Sequence, residues 1–600
     1  MARQYGEPLS FARDYHTIVA RTKVEGFSFL TKTLPGLAKA IDKALVTGRL
    51  TPSHAFKRRK RHRYPVFLQV LMRRVFNEEG FVKTKPCIAA VRDLRQILYL
   101  CYKYEVTYAN KVVKSFIDNF RRVDANLPNE DPEGLEVQTF WVLCVARTLL
   151  RDVVDSHGHI DLRPYIIPRH GPGAVATGEK SWEKMNFARK YSKIHQVFPY
   201  YEYFFANAAD LRHNAKMYWR LNRDPEPLSK VQLVPKDSRG PRLICMEPLE
   251  FQYVQQGLAN YLVPLIEAHP LTSGHVNFTD QEVNRKLALE GSIKRNCVTL
   301  DMKEASDRVS MWLVRELFSD TTILRYLEAT RTEGTMLPDG DKLPFKKFAP
   351  MGSALCFPIE ALVHWSIAVA SLHVYNEITL KQATSAVYVF GDDIVIKGQD
   401  HSPLFDTFSQ LGMLFNVDKC CTEGFFRESC GMDAFLGECV TPVKVKKPLP
   451  KSPKDANAYV SYLSYCNEMW ERGNYHTSEY IRKRLENLYG RIPHVRPNSS
   501  VPGLTTTRGS FRIPYPQPFR SRYNADLQRT EYALLGVGPC KISRPNDRSQ
   551  YNLSLIVPPK EPRPYTGDIS GVKPQKAPWE SIYPIPRRIK FKRRWTTCIA

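Results

Sequence analysis

Apolar positions in the first 160 residues recur three and four apart, as in CIAAVRDLRQILYLCYKYEV (87–106) and TFWVLCVARTLLRDVV (139–154). That spacing lines one face of a helix, so this region is expected to be mostly helical. From 161 to 290 the pattern breaks into Pro/Gly turns such as PRHGPGAVATG (168–178), between short basic and apolar segments. Between 295 and 440, strand-like and helix-like stretches alternate with few breakers. In NCVTLDMKEASDRVS (296–310), Cys297 to Leu300 are strand-like and Asp301 is expected at the strand's end. Val309, Trp312, Leu313 and Leu317 then follow helical spacing, which puts Asp307 on the turn or the first helical residues. In FAPMGSALCFPIEALVHWSIAVASLHVY (348–375), a small-residue loop at Gly352-Ser353 precedes a helix that is apolar nearly all round. Such a helix is expected to be buried, and such a loop lets a backbone approach its neighbour closely. VYVFGDDIVIKG (387–398) reads as two β-rich runs joined at Gly391, Asp392 and Asp393, a hairpin whose tip carries both charges.

Those charges change the picture. Adjacent carboxylates repel, an arrangement that is costly unless a cation neutralises it. Oxygen ligands alone suit Mg²⁺ or Mn²⁺ rather than zinc. Asp301 and the Asp392/Asp393 pair converge if their strands are neighbours, which is the arrangement that two-metal phosphoryl transfer needs. A structural divalent site is the alternative. Upstream, VQLVPKDSRGPRLICMEP (231–248) spaces Lys236, Arg239 and Arg242 every three residues across a turn. These cations suit an incoming triphosphate; taken alone, the stretch reads as an exposed basic loop.

Composition narrows the partner. With 87 Lys+Arg against 61 Asp+Glu, the 600-residue chain carries +26, which makes nucleic acid the first partner to consider. Its length is too great for one simple core. KRRKRHRY (57–64) concentrates Lys57, Arg58, Arg59, Lys60 and Arg61, and reads equally as a solvated loop or as a phosphate contact. The 13 cysteines include no CxxC and no zinc spacing, which fits reduced thiols in a cytosol. No run of about 18 apolar residues suggests a membrane span, and the first residues show no secretory h-region. Of 43 prolines, 16 fall after residue 490, so that stretch is expected to be extended and loop-rich. It ends in RRIKFKRRWTTCIA, where Phe591 and Trp595 could stack on a base or belong to a disordered or surface-packed tail.

The basic VPK…R segment, DMKEASD, MGS with its helix, YVFGDD and FFRESCG (425–431) stand in one order. This set resembles RNA-dependent RNA polymerase motifs F, A, B, C and the segment after C. More narrowly, it resembles the replicase β subunit of single-stranded RNA bacteriophages of the Qβ-like, levivirus type. The resemblance covers about residues 231 to 431. It implies an α+β right-hand fold with fingers, thumb and a palm of antiparallel sheet flanked by helices. Residues 1–160 and 161–290 would be fingers, 291–445 palm, and 446–600 thumb with the Pro-rich end. By motif position, Asp301, Asp392 and Asp393 are the catalytic carboxylates holding two Mg²⁺ or Mn²⁺ ions. Lys236, Arg239 and Arg242 face the NTP, while Asp307 and Ser353 read the ribose 2′-hydroxyl. Motif B departs from the type, since Ser353-Ala354 stands where an Asn-containing pair is expected. The basic run 57–61 and Trp595 are the RNA-contact candidates. The resemblance also implies primer-independent synthesis in the cytoplasm of an infected bacterium, without a membrane. Its partners would be elongation factors Tu and Ts and an OB-fold ribosomal protein. Two rival readings are a reverse transcriptase, which normally has Tyr-x-Asp-Asp at the tip, and a non-catalytic RNA-binding translational regulator.

Overall fold

The structure is a computed structural model that describes residues 5–130, 134–155, 161–181, 183–205, 207–496, 499, 501–505, 519–539 and 589–597. Most of the Pro-rich C-terminal stretch therefore lies outside the described residues. The chain forms two compact units, Met1–Tyr102 with Val106–Pro442, and Lys103–Glu105 with Val443–Ala600.

In the first unit the helical periodicity is realised as α1 (Leu34–Thr47), α2 (Ile88–Tyr99), α3 (Asn110–Ala125) and α4 (Val137–Val154). Leu37, Ile41 and Leu45 of α1 meet Val91, Leu94 and Leu98 of α2 in one apolar cluster. The chain continues through β1 (Leu228–Asp237), β2 (Gly240–Met246), α5 (Leu249–Ala268), α6 (Glu282–Lys294) and β3 (Cys297–Lys303). After β4 (Gly334–Met336) and β5 (Lys342–Pro344) come α7 (Cys356–Tyr375), the hairpin β6 (Val387–Phe390) and β7 (Asp393–Lys397), and β8 (Leu414–Phe415). A second hairpin, β9 (Phe426–Ser429) and β10 (Met432–Phe435), closes the series.

The central sheet has the order β8-β3-β7-β6, and every neighbouring pair is antiparallel. Period-two alternation sends Leu300, Ile394, Ile396, Val387 and Val389 into the main core. Cys297 and Val395, on the opposite face, pack with Leu287 of α6. Under the main-core face lies α7, in which every residue from Pro358 to Leu372 is buried, as its all-round apolarity requires. It is long and apolar enough to cross a membrane by composition, yet it is a core helix here. A second sheet, β2-β1-β4-β5, stands on the β1–β2 hairpin that carries the basic segment.

The second unit contains α8 (Ala456–Glu471), α9 (Tyr475–Tyr489) and an antiparallel sheet of β11 (Ser521–Asn524), β12 (Arg529–Pro539) and β13 (Ile589–Thr596). Phe591 on β13 packs at 5.5 Å from Tyr459 and 5.4 Å from Tyr489. Of the alternatives for this tail, the surface-packed one describes Phe591, whose ring lies against both helices.

Gly352 ties the loop before α7 to β2. Its φ is +124°, and a Cβ there would lie 2.0 Å from the Cys245 carbonyl oxygen. Beside it, the Cys245 N–H donates to the Met351 carbonyl at 2.8 Å. Gly352→Ala is expected to destabilise this unit by about 2–3 kcal/mol through backbone strain and that contact. The check is the thermal unfolding midpoint, which should fall; an unchanged midpoint contradicts the packing.

Candidate active site

The opening hairpin is tighter than its sequence suggests. Only Gly391 and Asp392 lie between the strands, because Asp393 already belongs to β7. Gly391 adopts φ +65°, the left-handed value a two-residue hairpin loop requires at its first position. Asp392 is exposed at the tip, whereas Asp393 is directly opposite Asp301 across β3 and β7. Asp301 does not end its strand, which runs on to Lys303; β8 pairs with those last residues.

Three carboxylates are thus gathered by register and turn, and their surroundings answer the repulsion. Asp301 accepts Lys419 Nζ at 2.7 Å on Oδ1 and Asn416 Nδ2 at 3.0 Å on Oδ2. Asp393 Oδ2 accepts the Cys430 N–H at 2.9 Å. Burial, then the charge of Asp392, pushes the Asp393 carboxyl up to about 6. From α7, His364 donates Nδ1–H to the Gly391 carbonyl at 3.0 Å, and burial lowers its pKa, so a neutral ring holds the turn. One turn earlier, Glu360 is pushed up to about 8 by burial and by Asp392. Glu428 on β9 is also raised, by burial, then Asp433 and Asp393.

FFRESCG acquires a physical role. Arg427 is fully buried and donates Nε–H to the Cys297 carbonyl at 2.6 Å, joining β9 to β3. Its Nη1 is shared among the carbonyls of Glu423, Gly424 and Phe426. Cys430 (φ +49°) and Gly431 (φ +73°) form a two-residue turn between β9 and β10. That turn presents the Cys430 N–H to Asp393. Sequence reasoning used the segment as a marker and gave Arg427, Cys430 and Glu428 no role; an Arg inside a short aromatic-flanked strand was the available signal.

The basic candidates divide. Lys236 and Arg242 are exposed on β1 and β2. Partial desolvation, then Arg242 and nearby cations including Lys419, lowers the Lys236 pKa. Arg239 instead grips Asp237 with two nitrogens, at 3.1 and 2.7 Å, and lies over the Tyr102 ring. Its charge is partly spent on that carboxylate. Asp307 lies on the helical turn Ala305–Arg308, with Oδ1 2.9 Å from Nζ of the buried Lys347. Ser353 is buried in the loop before α7, where its hydroxyl accepts the Leu355 N–H at 3.3 Å. Lys57 to Arg61 are all exposed, on a loop whose flanking Phe56 and Phe67 stack at 5.1 Å. Trp595 is in the second unit, with the Arg522 guanidinium 4.5 Å from its ring centroid. Lys419, Asn416 and Lys347 were missed, because each reaches its aspartate from a distant stretch of chain.

The donor set suits a hard divalent ion. The acids facing one another are all carboxylates, and the rise in Asp393 comes from burial first and the Asp392 charge second, the part that a cation would relieve. Among the described residues, no three His, Cys, Asp or Glu side chains are close enough to hold an ion as they stand. Asp301 and Asp393 are instead occupied by Lys419, Asn416 and Cys430.

Residues 174–460 match the family RNA replicase, beta-chain. The RNA-directed RNA polymerase subunit beta of Enterobacteria phage SP is 34% identical over 221 residues, 37% of this chain and 36% of that protein. That of Escherichia virus Qbeta is 32% identical over 232 residues, 39% and 37%. The RNA-directed RNA polymerase beta chain of Enterobacteria phage fr is 30% identical over 315 residues, 52% and 53%. The matched stretches thus span from about a third to about half of these relatives. They bear out the resemblance to phage replicase β subunits read from the motifs. The crystal structure of the RNA-dependent RNA polymerase of a human picorbirnavirus aligns with TM-score 0.44 at 12% identity, covering 66% of this chain and 76% of that one.

Arg427→Met is expected to cost about 2–4 kcal/mol, because it orphans buried carbonyls on both strands. Thermal unfolding of the purified variant measures this; a midpoint equal to that of the unsubstituted chain contradicts the role assigned to Arg427.

Proposed function

We propose that the chain is the catalytic subunit of an RNA-directed RNA polymerase that copies a single-stranded phage RNA genome by primer-independent, two-metal nucleotidyl transfer. The observation that carries this reading is the cross-strand pairing of Asp301 with Asp393 beside the exposed Asp392. Similarity of residues 174–460 to RNA replicase beta-chains supports it. In this reading the fold is a right hand. The central sheet with α7 is the palm, within 291–445. Residues 1–160 and 161–290 are fingers, and 446–600 the thumb.

Asp301 and Asp392 would hold two Mg²⁺ or Mn²⁺ ions, with Asp393 in support. Bound there, the ions lower the pKa of the attacking 3′-hydroxyl and neutralise the triphosphate and departing pyrophosphate. To receive them Asp301 would have to release Lys419 and Asn416, and the freed lysine ammonium would then be available to the triphosphate. Lys236 and Arg242 draw the triphosphate in, and Arg239 stiffens their hairpin through Asp237. Asp307 accepts a hydrogen bond from the ribose 2′-hydroxyl, and the buried Ser353 shapes the same wall. The basic loop at 57–61 and Trp595 contact RNA. Host elongation factors Tu and Ts and an OB-fold ribosomal protein complete the enzyme in the cytoplasm of the infected bacterium.

The purified chain is expected to synthesise RNA without a primer in Mg²⁺ when supplemented with bacterial extract, and to stop in EDTA. RNA binding without synthesis would favour a regulator, and preference for dNTPs on an RNA template would favour a reverse transcriptase. Asp392→Asn should lower incorporation on the order of 10²–10³-fold, the scale of losing one preorganised electrostatic element. Its RNA affinity, measured by filter binding, should be unchanged. Full activity in the variant contradicts the assignment.

A further inference from the structure

Lys347 is a lysine with no solvent exposure of its side chain. Its Nζ lies 2.9 Å from Asp307 Oδ1, 3.7 Å from Asp124 Oδ1 and 3.7 Å from the Phe120 ring centroid. A buried ammonium is costly, and it is retained where paired carboxylates and an aromatic face replace water. Both acids are themselves held. Asp124, near the end of α3, accepts the backbone N–H groups of Lys346 at 3.0 Å and Lys347 at 3.2 Å. The segment bearing Lys347 is fastened to the chain just after Asp307: Met311 N–H donates to the Lys346 carbonyl and Phe348 N–H to the Val309 carbonyl, both at 2.8 Å.

The geometry points to Lys347 as a positioning residue for ribose selection, acting through Asp307. This rests on the polymerase reading, in which Asp307 meets the sugar. Lys347 takes one carboxylate oxygen and fixes the plane of the group. The second oxygen, Oδ2, has no protein donor among the described residues and is left for a hydroxyl. Asp124 and Phe120 stop the ammonium from following Asp307 if it swings, so the carboxylate has one preferred rotamer before a nucleotide arrives. Preorganisation of this kind favours the substrate that has the hydroxyl and does nothing for one that lacks it. A lysine serving only to dock α3 would make no such distinction.

The test compares kcat/KM for an rNTP and its dNTP counterpart in Lys347→Met, Asp307→Asn and the double variant, each assembled with host factors. Lys347→Met is expected to reduce the rNTP preference by about 10- to 100-fold, mostly through a higher KM for the rNTP. The double variant should match Asp307→Asn alone, because the carboxylate through which Lys347 acts is gone once Asp307 is changed. If Lys347→Met does not fold, the double variant still decides the matter: it leaves only Asp124, held by two backbone N–H groups. Equal losses for rNTP and dNTP, or a double variant with lower preference than Asp307→Asn, overturn the proposal. No incorporation by the unsubstituted chain overturns the polymerase reading itself.

Discussion

Mutual repulsion of carboxylates at the meeting of β3, β7 and the Gly391-Asp392 turn is the constraint around which the first unit is organised. Register places Asp301 and Asp393 face to face, and a tight turn puts Asp392 next to them. In a partly buried setting such an arrangement is unfavourable. The protein holds it with two groups that cannot retreat, a backbone N–H from the Cys430 turn and a buried imidazole under Gly391, and with an exchangeable lysine on Asp301. Arg427 fastens the strand that brings the first of these. The site's cost is met by the fold's rigidity.

The two lysines beside aspartates do different things. Lys419 is partly exposed, so its pairing with Asp301 can be exchanged. Lys347 is sealed, so its pairing with Asp307 is fixed. One contact is open to exchange, and the other is closed to it. The difference follows from access to water rather than from residue type.

Local patterns in the chain were enough to identify the elements that carry chemistry. Alternating β-branched residues around Gly391 indicated the hairpin, and unbroken apolarity indicated the buried α7. Gly352 and Gly391 both sit at positive φ, where a side chain would meet a neighbour, as their small size suggested. What could not be read there is long-range. That Asp301 continues in a strand depends on β8, more than a hundred residues on, and Lys419, Cys430 and Lys347 reach their partners only after folding. Arg239 looked equivalent to Lys236 and Arg242 by spacing, yet Asp237, two residues before it, claims it. Periodicity reports which face a residue occupies; it does not report which charge another segment will bring to that face.

The most direct measurement is Mn²⁺ titration of the purified chain, followed by electron paramagnetic resonance in the absence of nucleotide and RNA. Saturable binding that weakens at least tenfold in Asp301→Asn, on the scale of losing one coordinating carboxylate, is the result this account predicts. Equal Mn²⁺ binding by the two proteins would contradict it.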